Sequence, residues 1–223
     1  MGRGPAKRIA AVLDRLETRY GPQIHNARYE PMDELVSCIL TQHTTDATAF
    51  PTFDRLKETY PTWQQVVDAG EARVAKAIAR VGLANQKAKA IIATLKEIKN
   101  RTGDYSIDHL AKMPMLEARE WLTSLPGVGP KTASIVLCFA FGKEAIPVDT
   151  HIHRVSRRLG FIPDKADANK AHDLLLQLVD EKDAYRYHTL LIQHGRETCK
   201  AQRPKCLSCI VYDLCPWPEK PKR

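Results

Sequence analysis

Apolar residues recur at intervals of three and four along most of the chain, the spacing that places them on one face of an α-helix. The first such stretch begins at Ile9 and ends before Gly21 and Pro22, a pair through which a helix rarely continues. Alternation of apolar and polar residues, which would indicate strands, is nearly absent. The pattern therefore predicts an all-α fold with connections of ordinary length.

Further helices are predicted by the same spacing, with a short turn at 106–112 between two of them. They are one from Pro31, one carrying Phe50 to Tyr60 with Pro51 near its start, a short one capped by Thr62, one carrying Val74 to Val81, one carrying Ala88 to Ile98, and then 114–124, 131–141, 150–159, 167–179 and 184–196. The helix from Pro31 is apolar nearly all round, so we expect it to be central. Gly103 directly follows the long helix, the usual place of a glycine cap. Leu83 lies in a loop, where it could pack into the core or protrude.

A glycine-rich stretch, LPGVGPK at residues 125–131, separates two of the predicted helices. Gly127 and Gly129 are expected to adopt positive φ in a tight hairpin. The amides of Val128, Gly129 and Lys131 would then point out of the N-terminus of the following helix. Such an array of amides is a phosphate-binding site.

Two residues near this hairpin could carry chemistry. Lys131 lies in the first helical turn, where the helix dipole disfavours its charged form, and a lysine with a lowered pKa is an amine nucleophile. It could equally bind phosphate as a simple cation. Asp149, in the VDTH stretch, could take a proton or stabilise a cation, or it could only cap the helix from Thr150. The residues alone leave these interpretations open.

Four of the six cysteines fall within residues 199–215. Because the chain shows no secretion signal, metal ligation is a better interpretation than disulfides. A single Cys-x2-Cys pair with wider arms favours an iron–sulfur cluster, with zinc as the alternative. Cys38 and Cys138 lie on apolar helices and are expected to be inert core residues. The candidate ligands are Cys199, Cys206, Cys209 and Cys215.

Charge points to the class of partner. Lys and Arg number 34 against 26 Asp and Glu, a net charge of +8, which indicates a polyanion and nucleic acid first. Lys200, Arg203 and Lys205, in the first cysteine arm, would face a phosphate backbone. Alternatively, this arm is only a solvated loop, and the cluster serves to fix the C-terminus. No membrane-spanning run and no signal peptide are found, so we expect a cytoplasmic, nucleoid-associated protein.

Three motifs in this order resemble the endonuclease III family, within the helix-hairpin-helix DNA glycosylase superfamily. They are LPGVGPKTA at 125–133, VDTHIHRV at 148–155 and Cys-x6-Cys-x2-Cys-x5-Cys at 199–215. The resemblance implies a six-helix barrel domain with the helix-hairpin-helix motif at 29–145. It also implies a second helical domain, 1–28 with 146–223, that holds a 4Fe-4S cluster, and DNA bound in the cleft between the domains.

The resemblance further implies a bifunctional DNA glycosylase and AP lyase of base excision repair. Lys131 would attack C1′ of a flipped-out, oxidised pyrimidine nucleotide of the thymine glycol type, with assistance from Asp149, and β-elimination would nick the strand. The partner would be double-stranded DNA with damaged bases or abasic sites, and the enzyme a monomer. The alternatives are a non-catalytic DNA-binding module and an electron-transfer protein.

Other DNA contacts are implied by the same resemblance. The family's gap-filling glutamine aligns with His43, or with Gln42 after a shift of one residue. Leu83 matches the family's wedge position. The remaining expected DNA contacts are Gly127, Gly129, His151, Lys200, Arg203 and Lys205.

Overall fold

A computed structural model describes the backbone of residues 3–222 and the side chains of residues 6–222. This part of the chain forms α-helices joined by loops and short 3-10 turns and contains no strand, which confirms the all-α fold. The helices are α1 (Arg3–Tyr20), α2 (Pro31–Thr41), α3 (Asp46–Thr59), α4 (Trp63–Ala77), α5 (Ala84–Thr102), α6 (Met115–Thr123), α7 (Pro130–Phe139), α8 (Thr150–Arg158), α9 (Ala168–Leu178) and α10 (Ala184–Glu197). None of these helices is both long and apolar enough to cross a bilayer.

The chain divides into two compact units. The continuous unit is Ala27–Phe141 and contains α2 to α7. The split unit joins the chain up to Asn26 to the chain from Gly142 onward, and it contains α1 with α8 to α10.

Helix α2 is the centre of the continuous unit, as its composition predicts. Its residues from Leu35 to Leu40 are all buried, and α3, α5 and α7 pack against it. Helix α4 is interrupted at Gly70, whose φ of 78° lies outside the helical region, so its two arms correspond to the two helices predicted in this stretch. The second arm ends at Ala77, before the predicted Val81. Pro51 falls in the interior of α3 and not near its start.

Long-range packing holds the split unit together. Ile9, Val12, Leu13 and Leu16 of α1 are buried in one core with residues of α8, α9 and α10. Arg186 on α10 adds ion pairs to α1, with side-chain N–O distances of 2.7 Å to Asp14 and 2.6 Å to Glu17. The first helix is therefore stabilised by the last one.

Local sequence signals set several helix ends. The Thr62 side chain and Gln65 form a capping box at the start of α4. Gly103 ends α5 with a φ of 80°, and its amide donates to the carbonyl of Lys99 at 2.9 Å. The helices predicted by residue range from 114 onward begin and end within two residues of the observed bounds.

Candidate functional site

The glycine hairpin joins α6 to α7 in the continuous unit. Gly127 has a φ of 75°, as predicted. Gly129 has a φ of −94° and is the extended N-cap of α7, so the prediction of a positive φ at Gly129 is wrong. The prediction for the Val128 amide is also wrong, because this amide donates to the carbonyl of Leu125 at 3.2 Å and closes the turn. The amides of Gly129 and Lys131 remain at the helix N-terminus, where the helix supplies no acceptor.

Helix α5 supports this hairpin from one side. A Cβ atom at Gly127 would lie 2.9 Å from the Cβ of Ala90, so only glycine fits there without a shift. The Thr94 hydroxyl donates to the carbonyl of Pro126 at 2.5 Å. The hairpin is thus held by close packing and by a hydrogen bond to the same helix.

Lys131 is the second residue of α7, and its side chain is exposed. Its charge acts on the buried thiol of Cys38 on α2. Burial and the nearby carboxylate of Glu34 hold the pKa of Cys38 well above its usual value, and Lys131 opposes this rise. Cys138 is buried too, and burial raises its pKa to about 12. Both cysteines are therefore core thiols, as predicted.

The loop after α2 carries Gln42 and His43, which differ in their surroundings. The Gln42 residue is half-buried, and its side-chain amide donates to the carbonyl of Gly127 at 3.1 Å. His43 is exposed and has a left-handed backbone, with a φ of 53°. Leu83 has a similar backbone, with a φ of 61°, and its side chain is 52% exposed, so it protrudes. A Cβ at Gly82 would lie 3.9 Å from the carbonyl oxygen of His43, so the two loops adjoin.

Lys87 is a residue of this region that the sequence analysis missed. It is 4% exposed, and its Nζ donates to the carbonyl of Leu40 at 2.8 Å and to the hydroxyl of Thr44 at 2.7 Å. Burial lowers the pKa of Lys87. The sequence carried one signal of this burial, because Lys87 lies on the apolar face of α5, one turn before Ile91.

Asp149 is the N-cap of α8 in the split unit. Its Oδ1 accepts a hydrogen bond from the amide of Ile152 at 2.8 Å, so the capping interpretation is confirmed. The segment before it is held by two buried histidines. Nδ1 of His172 lies 3.0 Å from the carbonyl oxygen of Ile146, and Nδ1 of His188 lies 2.9 Å from that of Pro147.

Arg154 connects the first turn of α8 with the cysteine segment. Its guanidinium donates to the carbonyls of Cys199 at 3.0 Å and Gly195 at 2.9 Å. Nδ1 of His151 lies 3.0 Å from the same group. His151 is therefore part-buried against Arg154.

Four thiols line one cavity at the C-terminal end of α10, together with Arg158, His194 and Lys220. All four are free, so no disulfide forms among them. Burial raises the pKa of Cys209 to about 11, and it also raises the pKa of Cys206 and of Cys215. Nη1 of Arg158 is 3.4 Å from Sγ of Cys199, which provides a positive charge beside this sulfur.

This donor set consists of four thiols and fits an iron–sulfur cluster. Four cysteines around a shared cavity, each able to bind one iron of a larger group, match the ligand set of a cubane cluster.

The loop between the first two cysteines is basic and solvent-facing. Lys200, Arg203 and Lys205 are all exposed, and Arg203 has a φ of 49°. The carbonyl of Lys200 accepts from Arg158 at 2.7 Å, and the amide of Lys205 donates to Thr198 at 2.9 Å. The loop backbone is fixed while its three cations face solvent.

Comparisons with known proteins agree with this arrangement. Residues 36–181 match the HhH-GPD superfamily of base excision DNA repair proteins, and residues 199–215 match the iron-sulfur binding domain of endonuclease III. Endonuclease III of Haemophilus influenzae is 36% identical over 96% of this chain and 97% of its own. Endonuclease III of Escherichia coli K12 is 35% identical over the same shares.

A solved structure is similar over nearly the whole fold. It is described as a trapped endonuclease III–DNA covalent intermediate, and it aligns with a TM-score of 0.81 and 30% identity over 95% of each chain. The cysteine cavity accordingly binds a 4Fe-4S cluster. The chain belongs to the endonuclease III family of the HhH-GPD superfamily and is a base excision repair DNA glycosylase.

Proposed function

We propose that the protein is a bifunctional DNA glycosylase and AP lyase. The observation that carries this proposal is the primary amine of Lys131, exposed in the first turn of α7 directly after the hairpin. A primary amine can form a Schiff base, which a guanidinium cannot. The relative trapped as a covalent intermediate with DNA supports the same chemistry.

In this mechanism the Lys131 amine forms a bond to C1′ as the bond from C1′ to the base breaks. Asp149 takes a proton from the amine or stabilises the developing sugar cation. The C1′–O4′ bond of the resulting aminal then breaks as O4′ takes up a proton, which opens the sugar ring and gives the Schiff base. The Schiff base loses a proton at C2′, and the C3′–O bond breaks by β-elimination. The strand is then nicked 3′ to the lesion.

The substrates we propose are oxidised pyrimidines of the thymine glycol type and abasic sites in double-stranded DNA. An enzyme of this kind works as a monomer on the chromosome, in the cytoplasm. A damaged base unstacks at lower cost than a normal one, which contributes to selectivity when the nucleotide is everted.

Two exposed residues are suited to filling the gap that an everted nucleotide leaves. His43 and Leu83 stand on adjoining loops with left-handed backbones. Gln42, whose amide is bonded to Gly127, supports the hairpin behind them. We assign phosphate contacts to the Gly127–Gly129 turn, His151, Lys200, Arg203 and Lys205.

Borohydride trapping tests the assignment of Lys131. Wild-type protein incubated with a thymine-glycol duplex and borohydride is expected to form a covalent complex. Lys131→Ala is expected to abolish the complex, and so is Lys131→Arg, which keeps the positive charge. Undiminished trapping by either variant would overturn the assignment. Lesion binding by wild type without base release or strand scission would instead indicate a non-catalytic DNA-binding module.

A further inference from the structure

Lys87 is a buried ammonium whose hydrogen bonds lead to neutral groups. Its Nζ contacts the carbonyl oxygen of Leu40 and the hydroxyl of Thr44, at 2.8 and 2.7 Å. Burying a charge is costly unless strong hydrogen bonds compensate it, and at 4% exposure water contributes little. A residue with this cost needs a role beyond filling space.

The two acceptors belong to the end of α2 and to the loop that follows it. Leu40 is in the last turn of α2, where carbonyls lack helical partners and the helix dipole favours a cation. Thr44 follows His43 directly, and its amide donates to the carbonyl of Thr41 at 3.1 Å. The Lys87 side chain therefore holds both ends of the Gln42–His43 turn.

The backbone of the same residue contacts the second loop. The Lys87 amide donates to the carbonyl of Leu83 at 3.0 Å, and this bond closes the first turn of α5. Leu83 is the N-cap of α5, has no capping side chain and has a left-handed backbone. One residue thus bonds through its amide to the loop bearing Leu83 and through its ammonium to the loop bearing His43.

We propose that Lys87 is a positioning residue that holds His43 and Leu83 in one fixed arrangement for insertion into the gap left by the everted nucleotide. The inference rests on the proposed function, because that function makes these two side chains DNA contacts. Preorganised loops lose little conformational freedom on binding, so the affinity for DNA with an everted nucleotide increases. Without the ammonium the two loops would move independently.

The variant Lys87→Met tests this role, because methionine has similar length and no donors. Hydrogen–deuterium exchange of the DNA-free holoenzyme is expected to rise at least about tenfold in residues 41–46, since the hydrogen bonds from a charged group to Leu40 and Thr44 are removed. Exchange in residues 82–86 should rise less, because the backbone bond from the amide of residue 87 to Leu83 is kept. Affinity for a duplex with a stable abasic-site analogue should fall at least about tenfold, and affinity for undamaged duplex should change much less. Lys89→Met, an exposed lysine on the same helix, is the matched control and should change neither.

A second variant keeps the test decisive if Lys87→Met does not fold. Thr44→Val removes one acceptor of the Lys87 ammonium and keeps the lysine itself, so exchange should rise in residues 41–46. The preference for abasic over undamaged DNA should fall by less than in Lys87→Met. The proposal is overturned if exchange in residues 41–46 does not rise in either variant, or if both variants discriminate abasic from undamaged DNA as wild type does. Failure of the proposed function can be told apart from failure of this inference. In the first case wild-type protein would form no covalent complex with DNA and would not nick it, while the exchange experiment would still show whether Lys87 orders the loop.

Discussion

The side-chain amide of Gln42 donates a hydrogen bond to the carbonyl oxygen of Gly127, with an N–O distance of 3.1 Å. The bond joins the loop after α2 to the glycine hairpin, within the continuous unit. The same nitrogen lies 3.4 Å from the hydroxyl of Thr132 in the first turn of α7. Gln42 therefore supports the hairpin that precedes Lys131, while the adjacent His43 faces solvent.

This contrast predicts different effects for neighbouring substitutions. Gln42→Ala should lower the free energy of unfolding by about 1 kcal/mol, because the hydrogen bond to the carbonyl of Gly127 and the contact with Thr132 are lost. His43→Ala should change it by less than about 0.5 kcal/mol, since the side chain is exposed, yet weaken binding to abasic-site DNA. Denaturant unfolding and binding titrations measure the two effects. Equal destabilisation by both substitutions would contradict this division of roles.

The two hairpin glycines should respond differently to alanine. Gly127→Ala places a Cβ 2.9 Å from that of Ala90 at a positive φ, so we expect a loss of about 1–3 kcal/mol in stability. Gly129→Ala meets no atom within 4 Å and keeps an ordinary φ, so its cost should be much smaller. Thermal unfolding of the two variants provides the comparison. A larger loss at Gly129 would show that the packing against α5 does not define the hairpin.

Substitutions at Asp149 can separate its cap from its chemistry. Asparagine caps helices as well as aspartate does, so Asp149→Asn should retain stability while base excision slows. Asp149→Ala should lose about 1 kcal/mol of stability in addition. Unfolding midpoints and single-turnover excision rates are the measurements. Normal excision by Asp149→Asn would reduce the residue to a helix cap.

Arg154 should stabilise the iron–sulfur segment through the backbone. Its guanidinium holds the carbonyls of Cys199 and Gly195, so Arg154→Met should accelerate cluster loss to a chelator. Arg157→Met is the control on the same helix, because the Arg157 side chain is exposed and its ion pair with Asp164 is long, at 3.8 Å. Visible absorbance followed over time reports cluster loss. Equal rates of cluster loss for the two variants would show that Arg154 does not stabilise the iron–sulfur segment.

Local patterns in the sequence predict much of this fold. The helices follow from apolar spacing, and the cap at Gly103 follows from a glycine after a helical stretch. The positive φ predicted for Gly127 is observed, but the one predicted for Gly129 is not, because glycine is compatible with either sign of φ and the pattern does not specify which. The exposure of Leu83 likewise depends on a turn that spacing does not specify.

Long-range polar contacts could not be predicted from the sequence. Lysines are ordinarily exposed, and nothing near Lys87 indicates that a carbonyl 47 residues earlier would accept its ammonium. The cysteine spacing did indicate a cluster, since ligand sets are local in sequence. Arg154, whose partners lie more than 40 residues away, could not be identified in this way.

The split unit also has a consequence for synthesis. Arg186 and Asp14, which form an ion pair, are separated by 172 residues. At about 5–20 residues per second, the ribosome releases α10 on the order of ten to thirty seconds after α1. Through that interval the apolar face of α1 has no partner helix, while Ala27–Phe141 can already condense. The apolar face of the first helix therefore waits for α10, and the unit carrying Asp149 is completed last.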